Sequence, residues 1–98
     1  MSSKERRKYP RIGVRWAVSI LTADGLMLGI IEDIGLGGAF ISCEMPPQPN
    51  EKVLLHYSEH SRNIQDIAQV VWTNIEFKST RDKPTGMGIK FLATPQLV

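Results

Sequence analysis

The chain has 98 residues, 42% of them hydrophobic, and a formal net charge of +2. That composition describes one folded domain, too short for two and too apolar to be disordered. It has a single cysteine, which excludes an intrachain disulfide framework, and no apolar run near the ~20 residues of a membrane-spanning helix. The charge is uneven: residues 1–15 hold six basic side chains against one acidic, a net +5, which leaves −3 on the remainder and suggests an anionic partner such as phosphate, nucleic acid or membrane headgroups.

The first element is a basic N-terminal segment, residues 1–13, with no apolar stretch of signal-peptide form. The expected location is therefore the cytoplasm, without membrane insertion. Within it lies Arg6-Arg7-Lys8-Tyr9-Pro10-Arg11. Pro10 fixes its own φ and biases Tyr9 to an extended form. Arg7 and Arg11 are then at most ~13–14 Å apart, a span that suits a wrap around a ligand with several anionic groups. A guanidinium binds phosphate through two parallel hydrogen bonds, stacks on flat rings and matches the O6/N7 edge of guanine. By itself the segment reads first as a solvated basic tail or nonspecific nucleic-acid arm, and second as a ligand clamp.

Strand periodicity follows. Val14, Trp16, Val18 and Ile20 fall on every second position and share one face. Asp24-Gly25 predicts a type I′ hairpin turn, and Leu26 to Ile34 pairs back antiparallel. The glycine-rich stretch Gly35-Leu36-Gly37-Gly38 predicts unusual backbone angles or close approach of another group. Ala39 to Glu44 is the third strand, with Cys43 read as a small buried hydrophobe. Pro46 to Asn50 is a loop, Val53 to Tyr57 the fourth strand, and Ser58 to Ser61 a polar turn. Ile64 to Phe77 reads as a long or bent fifth strand, interrupted near Thr73-Asn74. After the charged loop Ser79 to Pro84, Gly86 to Leu92 alternates again. Short strands at regular spacing, with no capped 3.6-residue stripe, predict an all-β closed or nearly closed barrel.

Asp33-Ile34-Gly35-Leu36-Gly37-Gly38 is the second segment able to carry chemistry. A carboxylate accepts from the N1–H and N2–H₂ donors of guanine, and glycines let backbone approach a ring or phosphate. Alone, it reads as a tight strand connection with a solvated Asp. His56 and His60, with Glu59 nearby, do not share a face and lack further ligands, so no metal is expected. No nucleophile with a neighbouring base is visible, so no enzyme is expected. Trp16 is assigned to the core and Trp72 to the core or its edge; Met27, Met45 and Met87 are read as gap fillers.

Taken together, Arg6-Arg7-x-x-x-Arg11 and Asp33-x-Gly35-x-x-Gly38 resemble the PilZ family, which carries RRxxxR ahead of its first strand and (D/N)xSxxG after its second. Ala68-Gln69-Val70-Val71-Trp72 looks like that family's strand ending in V-V-W, and Gly86-Met87-Gly88-Ile89-Lys90-Phe91 like its closing G-x-G-[IV]-x-F strand. The resemblance spans roughly residues 6–92. It implies a six- or seven-stranded antiparallel β-barrel of the split-barrel type over residues 14–98, with residues 1–13 as a flexible arginine-rich segment that closes over cyclic di-GMP. Carried over by motif position, Arg7 and Arg11 are the clamp with Arg6 supporting. Asp33 takes the Watson–Crick edge of a guanine, and Gly38 permits close backbone approach. Gly35 departs from the pattern, because the motif serine's hydroxyl is missing. Losing one hydrogen bond weakens binding by ~0.5–1.5 kcal/mol, or up to ~3 to a charged group, a few-fold to about a hundredfold in affinity.

The resemblance implies a bacterial, cytoplasmic receptor or adaptor that takes cyclic di-GMP as ligand, needs no other cofactor, and signals through a change of shape to a separate effector protein. The rival reading is a PilZ-like protein-interaction module whose nucleotide binding is lost or weakened, with Gly35 as its support. A nucleic-acid-binding barrel is the third, and the acidic body argues against it. A homodimer is a further expectation, through apolar barrel surface left uncovered near the C-terminus.

Overall fold

The period-two runs become strands. The computed structural model describes residues 10–92, which form β1 (Arg11–Thr22), β2 (Gly25–Gly35), β3 (Gly38–Cys43), β4 (Lys52–Glu59), β5 (Arg62–Asn74) and β6 (Gly86–Phe91). Every pairing is antiparallel. The order β1-β2-β3-β6-β5-β4 closes on itself because β1 also pairs β4, from Val18↔Tyr57 to Leu21↔Leu54. The barrel is thus six-stranded, and no helix occurs among the described residues. Closure gives every described strand a partner on each side over part of its length, although the β2–β3 ladder begins only at Gly29 and leaves Gly25–Leu28 without a β3 partner.

The core is built from alternate residues. Val18 and Ile20 of β1, Ile31 of β2, Ala39 and Ile41 of β3, Leu55 of β4, Val70 of β5 and Met87 of β6 are all buried, and Val14 and Trp16 pack partly buried against them. Trp16 also stacks on Tyr57, with ring centroids 6.1 Å apart. The Tyr57 hydroxyl donates to Asp66 Oδ2 at 2.7 Å. Burial, helped by that carboxylate, pushes the phenol well above its ordinary range. Cys43 lies in the core, and burial raises its thiol to about 11.

Four local readings are corrected. The turn after β1 is not type I′: its two loop residues are Ala23 and Asp24, and the positive φ falls on Gly25 alone, at 127°. Thr22 Oγ1 accepts from the Asp24 amide at 3.0 Å and donates to the Gly25 carbonyl at 2.9 Å, so side-chain bonding shapes this turn. The turn with two positive φ values is the β4–β5 hairpin, at His60 (51°) and Ser61 (65°). β1 begins at Arg11 rather than Val14, and β5 ends at Asn74 rather than Phe77. Ile75 and Phe77 are exposed, their strand-like composition overridden for want of a partner strand. Met27 and Met87 do pack into the core, but Met45 is exposed.

Three irregularities in strand register set up the outer face. Along β2, Ile31 faces the core opposite Ile41 of β3, yet Asp33, two residues on, stands opposite Phe40 with Glu32 as the extra residue between. Strict alternation would send Asp33 inward; the bulge turns it out. The same device acts on β5. Val70 is buried opposite Ile89, Val71 is extra, and Trp72 stands opposite Gly88 on the outside. Between β1 and β2 the register shifts once more between Gly13 and Trp16, next to Glu32.

Candidate ligand-binding site

These bulges produce one row of outward residues across five strands: Gly13 of β1, Asp33 of β2, Phe40 of β3, Gly88 of β6 and Trp72 of β5 stand opposite one another in sequence. At ~4.8 Å per strand, Asp33 and Trp72 lie about 14 Å apart, a span a small planar ligand can bridge.

At one end of the row stand Arg11 and Asp33. Arg11 lies opposite Gly35, in the last pair of the β1–β2 ladder, two residues from the Gly13↔Asp33 pair and on the same face. Its Nη1 donates to Asp33 Oδ1 at 3.3 Å, and both side chains are partly exposed. Oδ1 also accepts from the Phe40 amide at 3.3 Å, while Oδ2 has no partner among the described residues. Both contacts are long, and among the described residues most donors of the guanidinium have no partner, so this ion pair holds the two groups in place without exhausting either.

At the other end Phe40 and Trp72 stack, 5.5 Å between centroids and 13° between planes. Gly88 lies between them in register, and a Cβ there would land inside the Trp72 indole. The stack therefore lies across backbone and presents a flat apolar ledge, with Trp72 44% exposed. Phe40 escaped the sequence reading. The signal was available: with Ala39 and Ile41 inside, position 40 must face out, and an outward phenylalanine on a half-polar strand asks for a reason.

The glycines act by close approach. A Cβ on Gly35 would sit 2.5 Å from the Pro10 carbonyl oxygen and 3.1 Å from Arg11 Cγ. The start of β1 has moved into the space that a side chain at this position would take. A Cβ on Gly38 would land on the Ile89 carbonyl oxygen, so the group approaching Gly38 is the backbone of β6. Neither glycine has a positive φ. The structure thus brings Arg11, Asp33 and Gly35 together and places Gly38 at the start of β3, buried against β6. Arg6 and Arg7 lie outside the described residues. A second network runs beside the first on β1, β2 and β3: Arg15 Nη1 meets Glu32 Oε1 at 3.2 Å, and Ser42 Oγ donates to Glu32 Oε2 at 2.7 Å.

A face that offers a cation, a carboxylate with one oxygen unpartnered among the described residues, and a flat apolar ledge suits recognition of a planar, charged molecule, the chemistry of a binding module. The family model for the PilZ domain matches residues 5–96, and the chain belongs to that family. PilZ domains are receptor and adaptor domains rather than enzymes.

Similar solved structures bear out the fold. They include the PilZ domain with c-di-GMP of YcgR from Escherichia coli, with a TM-score of 0.72 and 18% identity, covering 92% of this chain and 81% of that one. The Bacillus subtilis inhibitor of motility, MotI/DgrA, matches with a TM-score of 0.69 and 22% identity over 88% of this chain but only 42% of its own. The PilZ domain of CeSA from a cellulose-synthesizing bacterium matches with a TM-score of 0.66 and 19% identity, covering 87% and 83%. No curated protein matches the chain.

Proposed function

We propose that this chain is a bacterial, cytoplasmic cyclic di-GMP receptor that passes its ligand state to a separate effector protein. The observation that carries the reading is the Arg11–Asp33 pair. The two halves of the family motif, 22 residues apart in sequence, meet at 3.3 Å on one outer face. Arg11, with Arg6 and Arg7 ahead of it, supplies guanidinium donors for phosphate oxygens and the O6/N7 edge of guanine. Asp33 accepts from the N1–H and N2–H₂ edge of a guanine, its free Oδ2 taking one of these donors. Gly35 keeps the surface low beside it, and Gly38 fixes the start of β3 at that corner. The Phe40–Trp72 ledge lies within reach of a second purine. One of the similar structures is a PilZ domain with c-di-GMP and another is an inhibitor of motility, which supports both the ligand and the role.

Titration calorimetry with cyclic di-GMP tests this. The chain should bind in the micromolar range, and Arg11→Ala and Asp33→Ala should each weaken binding at least tenfold. Absence of heat at ligand concentrations well above micromolar refutes it.

A second reading has its own observation. At Gly35 the family's serine is absent and Pro10 occupies its space, which favours an interaction module with weakened or lost nucleotide binding. Under that reading Arg11→Ala leaves partner binding unchanged.

A further inference from the structure

The first residues of β2 have an open edge. The β2–β3 ladder begins at Gly29↔Cys43, so Gly25–Leu28 pair with β1 alone. Continuing that register would set Pro46 opposite Leu26, and proline has no N–H to give to a ladder. The chain instead bends away at Glu44 and Met45. The Cys43 amide donates to the Thr85 carbonyl at 3.0 Å, away from β2. By antiparallel alternation, Ser42 and its opposite Ile30 therefore exchange the bonds between β3 and β2. Leu28 and Leu26, two and four residues earlier, point their N–H and C=O groups the same way. On that side they have no backbone partner among the described residues. Their side chains are 72% and 69% exposed, where a half-buried antiparallel strand normally shows polar residues.

This edge lies in an open groove of about 1250 Å³, whose lining includes the exposed Met45 and Phe77. At ~3.3 Å per residue the edge is about 13 Å long, room for about four residues of an added strand. An extended segment offers N–H and C=O groups to such an edge at every second residue, whereas a helix uses its own internally. Charge narrows the choice further. Five carboxylates, among them Asp24, Glu44 and Glu76, line the groove against two guanidiniums, Arg15 and Arg81. The lining therefore carries three excess negative charges on a chain whose net charge is +2. A second copy fits poorly. Paired by two-fold symmetry about Met27 or about Leu28, it would place its Gly25 opposite Gly29 or its Leu26 opposite Ile30, positions that Cys43 and Ser42 already hold. Paired about Leu26, it would set two acidic linings against each other. Both ends of the described chain leave elsewhere. Pro10 precedes the Arg11↔Gly35 pair and Leu92 follows the Gly38↔Lys90 pair, about 23 Å along β2 from Leu28.

From this geometry we infer that the open edge of β2 at Gly25–Leu28 takes an extended segment of a partner protein as an added antiparallel strand, in line with β3. Apolar residues of that segment stand opposite Leu26 and Leu28, and lysine or arginine between and beside them meets the carboxylates. The site is separate from the ligand row and does not depend on the nucleotide reading.

The test uses the full chain, ¹⁵N-labelled, with peptides in which valine alternates with lysine or, as the control, with glutamate. In the free chain the Leu26 and Leu28 amides should exchange with solvent quickly and the Met27 amide, bonded to β1, slowly. The lysine peptide at ten times its Kd should slow Leu26 and Leu28 about tenfold and leave Asp33 unmoved, while the glutamate peptide should not bind. Residues opposite Leu26 and Leu28 share their face and their hydrogen bonds. N-methylation of the valine amides should therefore weaken the lysine peptide at least about tenfold, and N-methylation of the lysine amides should not. Glu44→Gln with Glu76→Gln, both outside the strands, should flatten the salt dependence. Equal binding of the two N-methylated peptides, as a helix or a face-docked segment would show, overturns the inference. So does equal binding of the lysine and glutamate peptides, or no binding at millimolar peptide. Sedimentation showing a dimer that Leu28→Ser dissolves would give the edge to a second copy. Slow exchange at Leu26 and Leu28 in the free chain, lost when Lys4, Arg6 and Arg7 are replaced by Gln, would give it to the chain's own N-terminal segment. Either outcome overturns the inference.

Discussion

Adding one carbon at Gly35 probes the site more sharply than deleting a charge. A Cβ there would meet the Pro10 carbonyl oxygen at 2.5 Å and Arg11 Cγ at 3.1 Å. The oxygen must retreat by about 0.9 Å to reach ordinary contact at 3.4 Å, and Arg11, the next residue, moves with it. Overpacking inside a core costs about 1–3 kcal/mol. Here the intruded backbone is Pro10, just ahead of β1, where the chain can give way easily, so about 1 kcal/mol is expected. The half-exposed Arg11–Asp33 contact adds at most about 1 kcal/mol more. Gly35→Ala should therefore lower Tm by about 4–8 °C per kcal/mol lost for a domain of this size, and should weaken cyclic di-GMP by misplacing Arg11. Gly35→Ser has the same steric effect but restores the motif hydroxyl, worth about 0.5–1.5 kcal/mol. Resemblance alone suggests that the serine tightens binding. The geometry predicts instead that serine binds a few-fold better than alanine and no better than the native glycine. Thermal melts and calorimetry on the three chains decide it. A Gly35→Ser chain that melts like the native one and binds more tightly refutes the reasoning.

Other expectations follow from particular contacts. Replacing His60-Ser61 by Asn-Gly relieves two non-glycine residues of positive φ in the β4–β5 turn and should raise stability by about 1 kcal/mol in urea melts. Leu55→Ala empties a fully buried site and should cost about 2–5 kcal/mol, a large share of the 5–15 kcal/mol typical of a domain. Cys43 has a folded pKa of about 11 against an ordinary 9.0. A raised pKa gives stability that is fully present below the unfolded value and is lost as pH rises through the folded one. Stability should therefore fall between about pH 9 and 11, the fall should shrink in Cys43→Ala, and the native thiol should resist alkylation at neutral pH. Tyr57→Phe removes the 2.7 Å bond to Asp66 and should cost about 1 kcal/mol at neutral pH.

Local structure was legible where alternation is strict. Val14 to Ile20 and Gly86 to Phe91 announced strands and their inward faces, and the glycine stretch announced close approach. Closure was less legible, because the β1–β4 and β3–β6 pairings join residues dozens of positions apart and no local pattern encodes them. The turns were misread for a physical reason. Asp24-Gly25 has the composition of a type I′ turn, but Thr22 side-chain bonds dictate another, while His60-Ser61 accepts positive φ without glycine because the ladder on either side demands it.

The candidate site was half legible. Arg11 and Asp33 were singled out through family resemblance, since their residue types alone fit a basic tail and a solvated turn. The bulges at Glu32 and Val71 that turn Asp33 and Trp72 outward follow from register, and a one-residue slip in register leaves no mark on composition. The Phe40–Trp72 ledge was missed for the same reason, because it exists only once Gly88 stands between them.

The most direct test of the account is an amide-resolved titration of the ¹⁵N-labelled chain with cyclic di-GMP. The account predicts saturable shifts at Arg11, Asp33, Gly35, Phe40 and the Trp72 indole N–H, with Leu28 and Phe77 unmoved. Saturation that leaves Arg11 and Asp33 unshifted, or no shift at millimolar ligand, would contradict it.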